Sequence, residues 1–214
     1  MDKPYVVYGR KGTGSVPVEA TLLLLGEPYE VIEPASPEKA AAGGFTPETM
    51  ALVNPMQQIP ALRLPNGEAM TESAAILIYL ADNHPLAGLS PAPDDPRRPA
   101  FLRWMCFVSS QIYGLIWVTD DRTRLAVDQS HEGVIVSRVR ERMAHCWQTM
   151  EAQISPGRYL LGDDLTVLDL YVAVVSAWGP RRQRFYEIAP KMGEVVRRVE
   201  QDPRLKAFWA ERFT

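Results

Sequence analysis

The sequence predicts an α+β first domain followed by an all-helical second one. Two patterns point there. Up to residue 84, short runs of β-branched and aromatic residues alternate with helical segments, punctuated by glycine and proline. Beyond the proline-rich stretch His84-Pro85-Leu86-Ala87-Gly88-Leu89-Ser90-Pro91-Ala92-Pro93, apolar residues recur only at helical spacing. The expected boundaries are 1–84 for the first domain, 85–95 for a linker and 96–214 for the helical domain.

Each element has a local reason. Tyr5-Val6-Val7-Tyr8 is a strand bounded by Pro4 and Gly9. Val16 to Leu25 is a helix with Ser15 as its expected cap. Pro17 falls in its first turn, where a missing N–H is no loss, and Gly26 ends it. Tyr29-Glu30-Val31-Ile32 is the next strand. Residues 34–53 are rich in alanine, glycine and proline, with a short helix expected near Thr46 to Leu52. Asn54-Pro55-Met56-Gln57-Gln58-Ile59-Pro60-Ala61-Leu62 is a loop that leads into a strand. Pro60 takes the first strand position, where a missing donor is tolerated, and Ile59-Pro60 is a candidate cis peptide. Pro65-Asn66-Gly67 is turn chemistry. Thr71-Glu72-Ser73 then opens the apolar run Ala74 to Leu80 as a capped helix. The order β-α-β, connection, β-β-α fits one mixed sheet.

Five long helices are expected in the second part: Arg97 to Trp117, Val134 to Ile154, Thr166 to Trp178, Ile188 to Glu200, and Pro203 to Arg212. Within Leu161-Gly162-Asp163-Asp164-Leu165-Thr166-Val167-Leu168-Asp169-Leu170 lies a capping box. Its Thr166 hydroxyl would accept from the amide three residues on, and Asp169 would reach back to the Thr166 amide.

The string Ile59-Pro60-Ala61-Leu62, a turn, Thr71-Glu72-Ser73, then Ala75-Ile76-x-x-Tyr79-Leu80 resembles the thioredoxin-like half of the glutathione S-transferase family. The Leu161–Leu170 segment resembles the motif of that family's C-terminal domain, so the likeness spans nearly the whole chain. It implies a glutathione transferase fold and glutathione as co-substrate. It also implies that Ile59 and Pro60 meet the glutathione backbone, Glu72 and Ser73 hold its γ-glutamyl end, and Gln58 contributes a polar contact. A helix N-terminus beside a rigid proline loop suits a small anionic peptide.

Such an enzyme must ionise a thiol whose free pKa is near ~8.5, and a shift of about two units takes roughly 2.7 kcal/mol. The first loop, Tyr8-Gly9-Arg10-Lys11-Gly12-Thr13-Gly14-Ser15, is the expected source. Its candidate donors are Thr13, then Ser15, then Tyr8, with Arg10 and Lys11 as neighbouring charges. The resemblance places the second, electrophilic substrate against Arg97 to Trp117. There Met105, Ser109, Tyr113 and Trp117 recur every four residues and are expected to share a face, with Trp178 opposite.

The net charge of −3 argues against nucleic acid or an anionic membrane as partner. No uninterrupted apolar run approaches the roughly 20 residues of a membrane span. Met1-Asp2-Lys3-Pro4 lacks the pattern of a secretory signal. Cys106, Cys146 and the histidines His84, His131 and His145 show no metal-ligand spacing, so no metal is expected. A reduced, cytoplasmic protein is the expectation; the resemblance adds a homodimer and a role in detoxification. It leaves open a glutathione-dependent isomerase or dehalogenase, and a non-catalytic binding or interaction module on the same fold.

Overall fold

The computed structural model describes residues 3–35, 44–178 and 181–213. The chain forms two compact units: residues 1–90 with 200–214, and residues 91–199.

The first unit holds strands β1 (Tyr5–Tyr8), β2 (Tyr29–Ile32), β3 (Ala61–Arg63) and β4 (Ala69–Thr71), in the order β2-β1-β3-β4. β1 and β2 run parallel, whereas β3 is antiparallel to both β1 and β4. Helix α1 (Val16–Leu25) joins the parallel pair, as that pairing requires a crossover. Gly26 closes it in the left-handed region, its N–H reaching the Leu22 and Leu23 carbonyls. Helix α2 (Pro47–Ala51) is capped reciprocally by Thr46 and Thr49. Helix α3 (Ser73–Asn83) packs on α1. Leu22, Ile76, Leu77 and Leu80 are fully buried, each contributing about 1.5–3 kcal/mol.

The second unit is helical: α4 (Arg98–Phe107), a π-helical turn at Val108–Tyr113, α5 (Gly114–Asp120), α6 (Gln129–Gln153), α7 (Val167–Trp178), α8 (Arg182–Ile188) and most of α9 (Pro190–Glu200). By length and composition alone Arg98–Asp120 could cross a membrane. Its Phe101, Trp104, Met105, Val108 and Ile112 are instead buried in this unit, as in a core helix. α6 packs on α5 and α8, with the Trp147 and Phe185 rings edge to face at 5.0 Å. Glu151 on α6 accepts from the Lys191 and Met192 amides and so caps α9.

Four expectations change. The helical domain does not run to the C-terminus: the last helix, α10 (Lys206–Arg212), belongs to the first unit. Its Arg212 carries the ion pairs that bind it there. The capping box at α7 is only half as expected. Asp169 does accept the Thr166 amide at 2.8 Å, but the Thr166 hydroxyl donates to the same carboxylate at 2.9 Å. The Asp169 amide goes to the Thr166 carbonyl instead. The basic run Arg181-Arg182-Gln183-Arg184, which by sequence alone reads as solvated, is not simply so, since Arg182 opens α8 and reaches back to the Ser176 hydroxyl and the Ala173 carbonyl. Ser15 does not cap α1, for a reason given below. Residues 36–43 of the stretch rich in alanine, glycine and proline lie outside the described residues.

Candidate functional site

Strand register assembles the site. Ile32, Tyr8, Ala61 and Thr71 lie side by side across the four strands. One step beyond that row come Glu33, Gly9 and the first loop, Pro60, and Glu72 with Ser73. Segments far apart in sequence therefore meet at one end of the sheet.

The Ile59–Pro60 peptide is cis, as expected. Asn54 shapes the loop before it. Its buried side chain accepts the Met56 amide at 3.0 Å and donates to the Gln58 carbonyl at 2.8 Å. Gln57, exposed, has φ 54, in the left-handed region. Gln58 is exposed, Ile59 is half-buried against the Tyr8 cluster, and Pro60 is buried.

Glu72 occupies the N-cap position of α3 at φ 66 and ψ 101, a strained backbone for a residue with a Cβ. No side-chain cap bond repays that strain. Ser73 is buried and is the first residue of the helix. The pair thus sits at the positive end of an 11-residue helix.

The first loop is tightly folded. Gly9 lies so near Ser15 that a Cβ built on it would fall 2.1 Å from the Ser15 Cβ. Gly12 has φ +68, which only glycine adopts without strain. Thr13 is half-buried and donates to the Arg10 carbonyl at 2.7 Å. Ser15 is fully buried in the αR region, with φ −75 and ψ −25. A capping residue needs an extended backbone, so its hydroxyl cannot reach the helix amides. It donates to Glu19 Oε1 at 2.8 Å and lies 3.2 Å from the Thr13 hydroxyl. Arg10 and Lys11 are exposed. Tyr8 is buried in a cluster with Met50, Val53 and Ala61. Its ring lies 6.1 Å from that of Phe45, with the Arg63 guanidinium 5.3 Å over it.

The pocket expectations fall in the second unit and differ in burial. Met105 is fully buried, Ser109 and Tyr113 are half-buried, and Trp117 is 41% exposed. Tyr113 does meet Trp178, with ring centroids 5.0 Å apart.

Two residues escaped the sequence reading. Glu19 is fully buried on an otherwise apolar helix, and Arg212 pairs with it from the far end of the chain. A lone carboxylate at the fourth position of an apolar helical run was the available signal.

Comparisons with known proteins give a consistent result. The family model described as "Glutathione S-transferase, N-terminal domain" matches residues 16–91, and "Glutathione S-transferase, C-terminal domain" matches residues 128–212. The uncharacterized GST-like protein YncG of Escherichia coli K12 is 28% identical over 200 residues, 94% of each chain. Maleylacetoacetate isomerase of Mus musculus is 28% identical over 169 residues, 78% of this chain and 74% of the isomerase. A crystal structure of a glutathione transferase homologue from Sulfitobacter, with bound glutathione, matches with a TM-score of 0.82. It shares 28% identity and covers 100% of both chains. A ternary complex of BphK, a bacterial GST, matches with a TM-score of 0.76 at 25% identity, covering 94% of this chain and 96% of BphK.

Proposed function

The chain belongs to the glutathione S-transferase family, and from that premise we propose that it binds reduced glutathione and transfers it to a small, apolar electrophile. The observation that carries this reading is the register. It brings cis-Pro60, the strained Glu72-Ser73 helix start and the first loop to one end of the sheet. A Sulfitobacter homologue of the same fold holds glutathione, which supports it as co-substrate here.

The division of labour follows from chemistry. Ser73 and the α3 N-terminus bind the carboxylate of the γ-glutamyl end, by charge-assisted hydrogen bonds and the helix dipole. The Glu72 carboxylate pairs with the α-ammonium. The backbone of Ile59, ahead of cis-Pro60, aligns with the peptide, and Gln58 adds a side-chain contact. These bonds aim the cysteine sulfur at the first loop. Thr13 there donates to the thiolate, ahead of Ser15, whose hydroxyl is turned to Glu19, and of Tyr8, whose ring is packed among Met50, Val53 and Ala61. The proton leaves to solvent, and the sulfur then bonds to the electrophilic carbon, where a leaving group departs with its bonding pair or a double bond opens and its electron pair takes a proton from solvent. Within the second unit, Tyr113 and Trp178 meet ring to ring and offer an aromatic wall for the electrophile; Met105, Ser109 and Trp117 are the further residues of the proposed pocket. The reading includes a cytoplasmic homodimer.

Calorimetric titration with reduced glutathione, followed by turnover of a panel of electrophiles, tests the proposal. Binding with conjugation supports it. Binding without any turnover makes the chain a glutathione-binding module. The likeness to maleylacetoacetate isomerase favours one second reading, a glutathione-dependent isomerase. Conjugation consumes glutathione, whereas isomerisation returns it, so assay of free thiol after turnover separates the two.

A further inference from the structure

Helix α10 ends on a residue that grips Glu19 of α1, just past the first loop, from 193 positions away. Arg212 donates from Nε to Glu19 Oε2 at 2.7 Å and from Nη2 to Glu19 Oε1 at 3.1 Å. Its Nη1 donates to Glu33 Oε1 at 2.8 Å. The side chains of Arg212 and Glu19 are 11% and 1% exposed. A carboxylate so deeply buried is tolerable only with a charged, hydrogen-bonded partner. Burial works against the guanidinium charge, but the bonds to Glu19 and Glu33 outweigh it and hold the Arg212 pKa above its ordinary value. The main chain of the same residue is also engaged, since its carbonyl accepts the Gly12 amide at 2.9 Å.

The loop is thus held twice by one residue. At its apex, Gly12 is bonded to the Arg212 carbonyl. At its base, Ser15 is bonded to Glu19, which the Arg212 guanidinium fixes. A hydroxyl has one proton. Ser15 gives its proton to the Glu19 carboxylate at 2.8 Å in preference to the Arg10 carbonyl at 3.2 Å, because a charged acceptor wins. Ser15 then serves the loop as an acceptor of the Arg10 amide at 3.2 Å, while the Thr13 proton lies on the carbonyl of the same Arg10 at 2.7 Å. Thr13 is the hydroxyl still able to turn outward. It gives up a neutral bond to the Arg10 carbonyl and gains a charge-assisted one to a thiolate.

We infer that Arg212 is a positioning residue: through Gly12, Glu19 and Ser15 it fixes the first loop and sets the Thr13 hydroxyl for thiol activation. The thiol step rests on the function proposed above, whereas the fixing of the loop does not.

Two measurements test it. The first is ultraviolet titration of bound glutathione thiolate in Arg212→Gln, Thr13→Ala and the double variant. Arg212→Gln raises the bound-thiol pKa by about one pH unit. The double variant goes no higher than Thr13→Ala alone, because both act through one hydroxyl. An unchanged titration in Arg212→Gln, with only a lowered melting temperature, overturns the inference. Should Arg212→Gln not fold, Ser15→Ala decides. It leaves the Glu19–Arg212 pair whole and cuts the link to the loop, so a thiol pKa that rises, and in the Thr13→Ala/Ser15→Ala double variant goes no higher than in Thr13→Ala alone, supports the inference, and an unchanged one overturns it. The second measurement is amide hydrogen exchange of residues 10–15 without glutathione. Exchange about tenfold faster in Arg212→Gln supports the fixing of the loop, and unchanged exchange overturns it. Wild-type protein that leaves the glutathione thiol at its free pKa removes the proposed function and the thiol step. The exchange arm still decides whether Arg212 positions the loop.

Discussion

Ser15 shows at the residue scale how one dihedral redirects a side chain. Its hydroxyl reads from sequence as a helix cap, yet an αR backbone turns it toward Glu19. That leaves Thr13 as the outward hydroxyl of the loop, and Thr13→Ala should raise the bound-thiol pKa and lower kcat by about 10–1000-fold, or roughly 1.4–4 kcal/mol. Tyr8→Phe should leave the thiol titration alone, because the ring is packed among Met50, Val53 and Ala61. Ser73→Ala should weaken glutathione by about 1.5–3 kcal/mol in calorimetry, the worth of one charge-assisted hydrogen bond. Unchanged affinity would place the carboxylate elsewhere. The Pro60 and Glu72-Ser73 positions were legible because their chemistry is local: a proline at a strand start and a polar helix opening. Glu19 was not, since its partner lies 193 residues away and no local pattern names it.

At the scale of elements, α7 holds the clearest pH dependence. Asp169 is fully enclosed, and burial pushes its carboxyl up to about 6, against three hydrogen bonds that favour the charged form. The folded protein therefore takes up this proton more readily than the unfolded chain. The stability so gained is full below the unfolded value of 3.8 and is lost as pH rises through about 6. Denaturant melts of wild type and Asp169→Asn should diverge across that window. Wild type should lose about 2 kcal/mol relative to the variant between pH 4 and 6. Parallel curves would contradict the assignment. The strands, α1, α3 and the long helices were legible from period and punctuation. On Arg98–Asp120 the positions counted by four differ in burial, which spacing alone does not reveal: Met105 lies in the core while Trp117 stays exposed. The π turn at Val108–Tyr113 holds neither glycine nor proline, so the sequence gives no warning of it.

At the scale of the whole molecule, the two-part architecture was legible from the change in hydrophobic period near residue 84. The return of residues 200–214 to the first unit was not, since it depends on Arg212 finding Glu19 and Glu33. Sedimentation should find a dimer at micromolar concentration; a stable monomer would remove the homodimer from the account. The central claim is that this sheet end binds glutathione and ionises it. Ultraviolet titration of glutathione bound to the wild-type protein tests it most directly. The account predicts a bound-thiol pKa about two units below the free value of ~8.5. Glutathione that fails to bind, or that binds with its thiol still titrating at the free value, would contradict it.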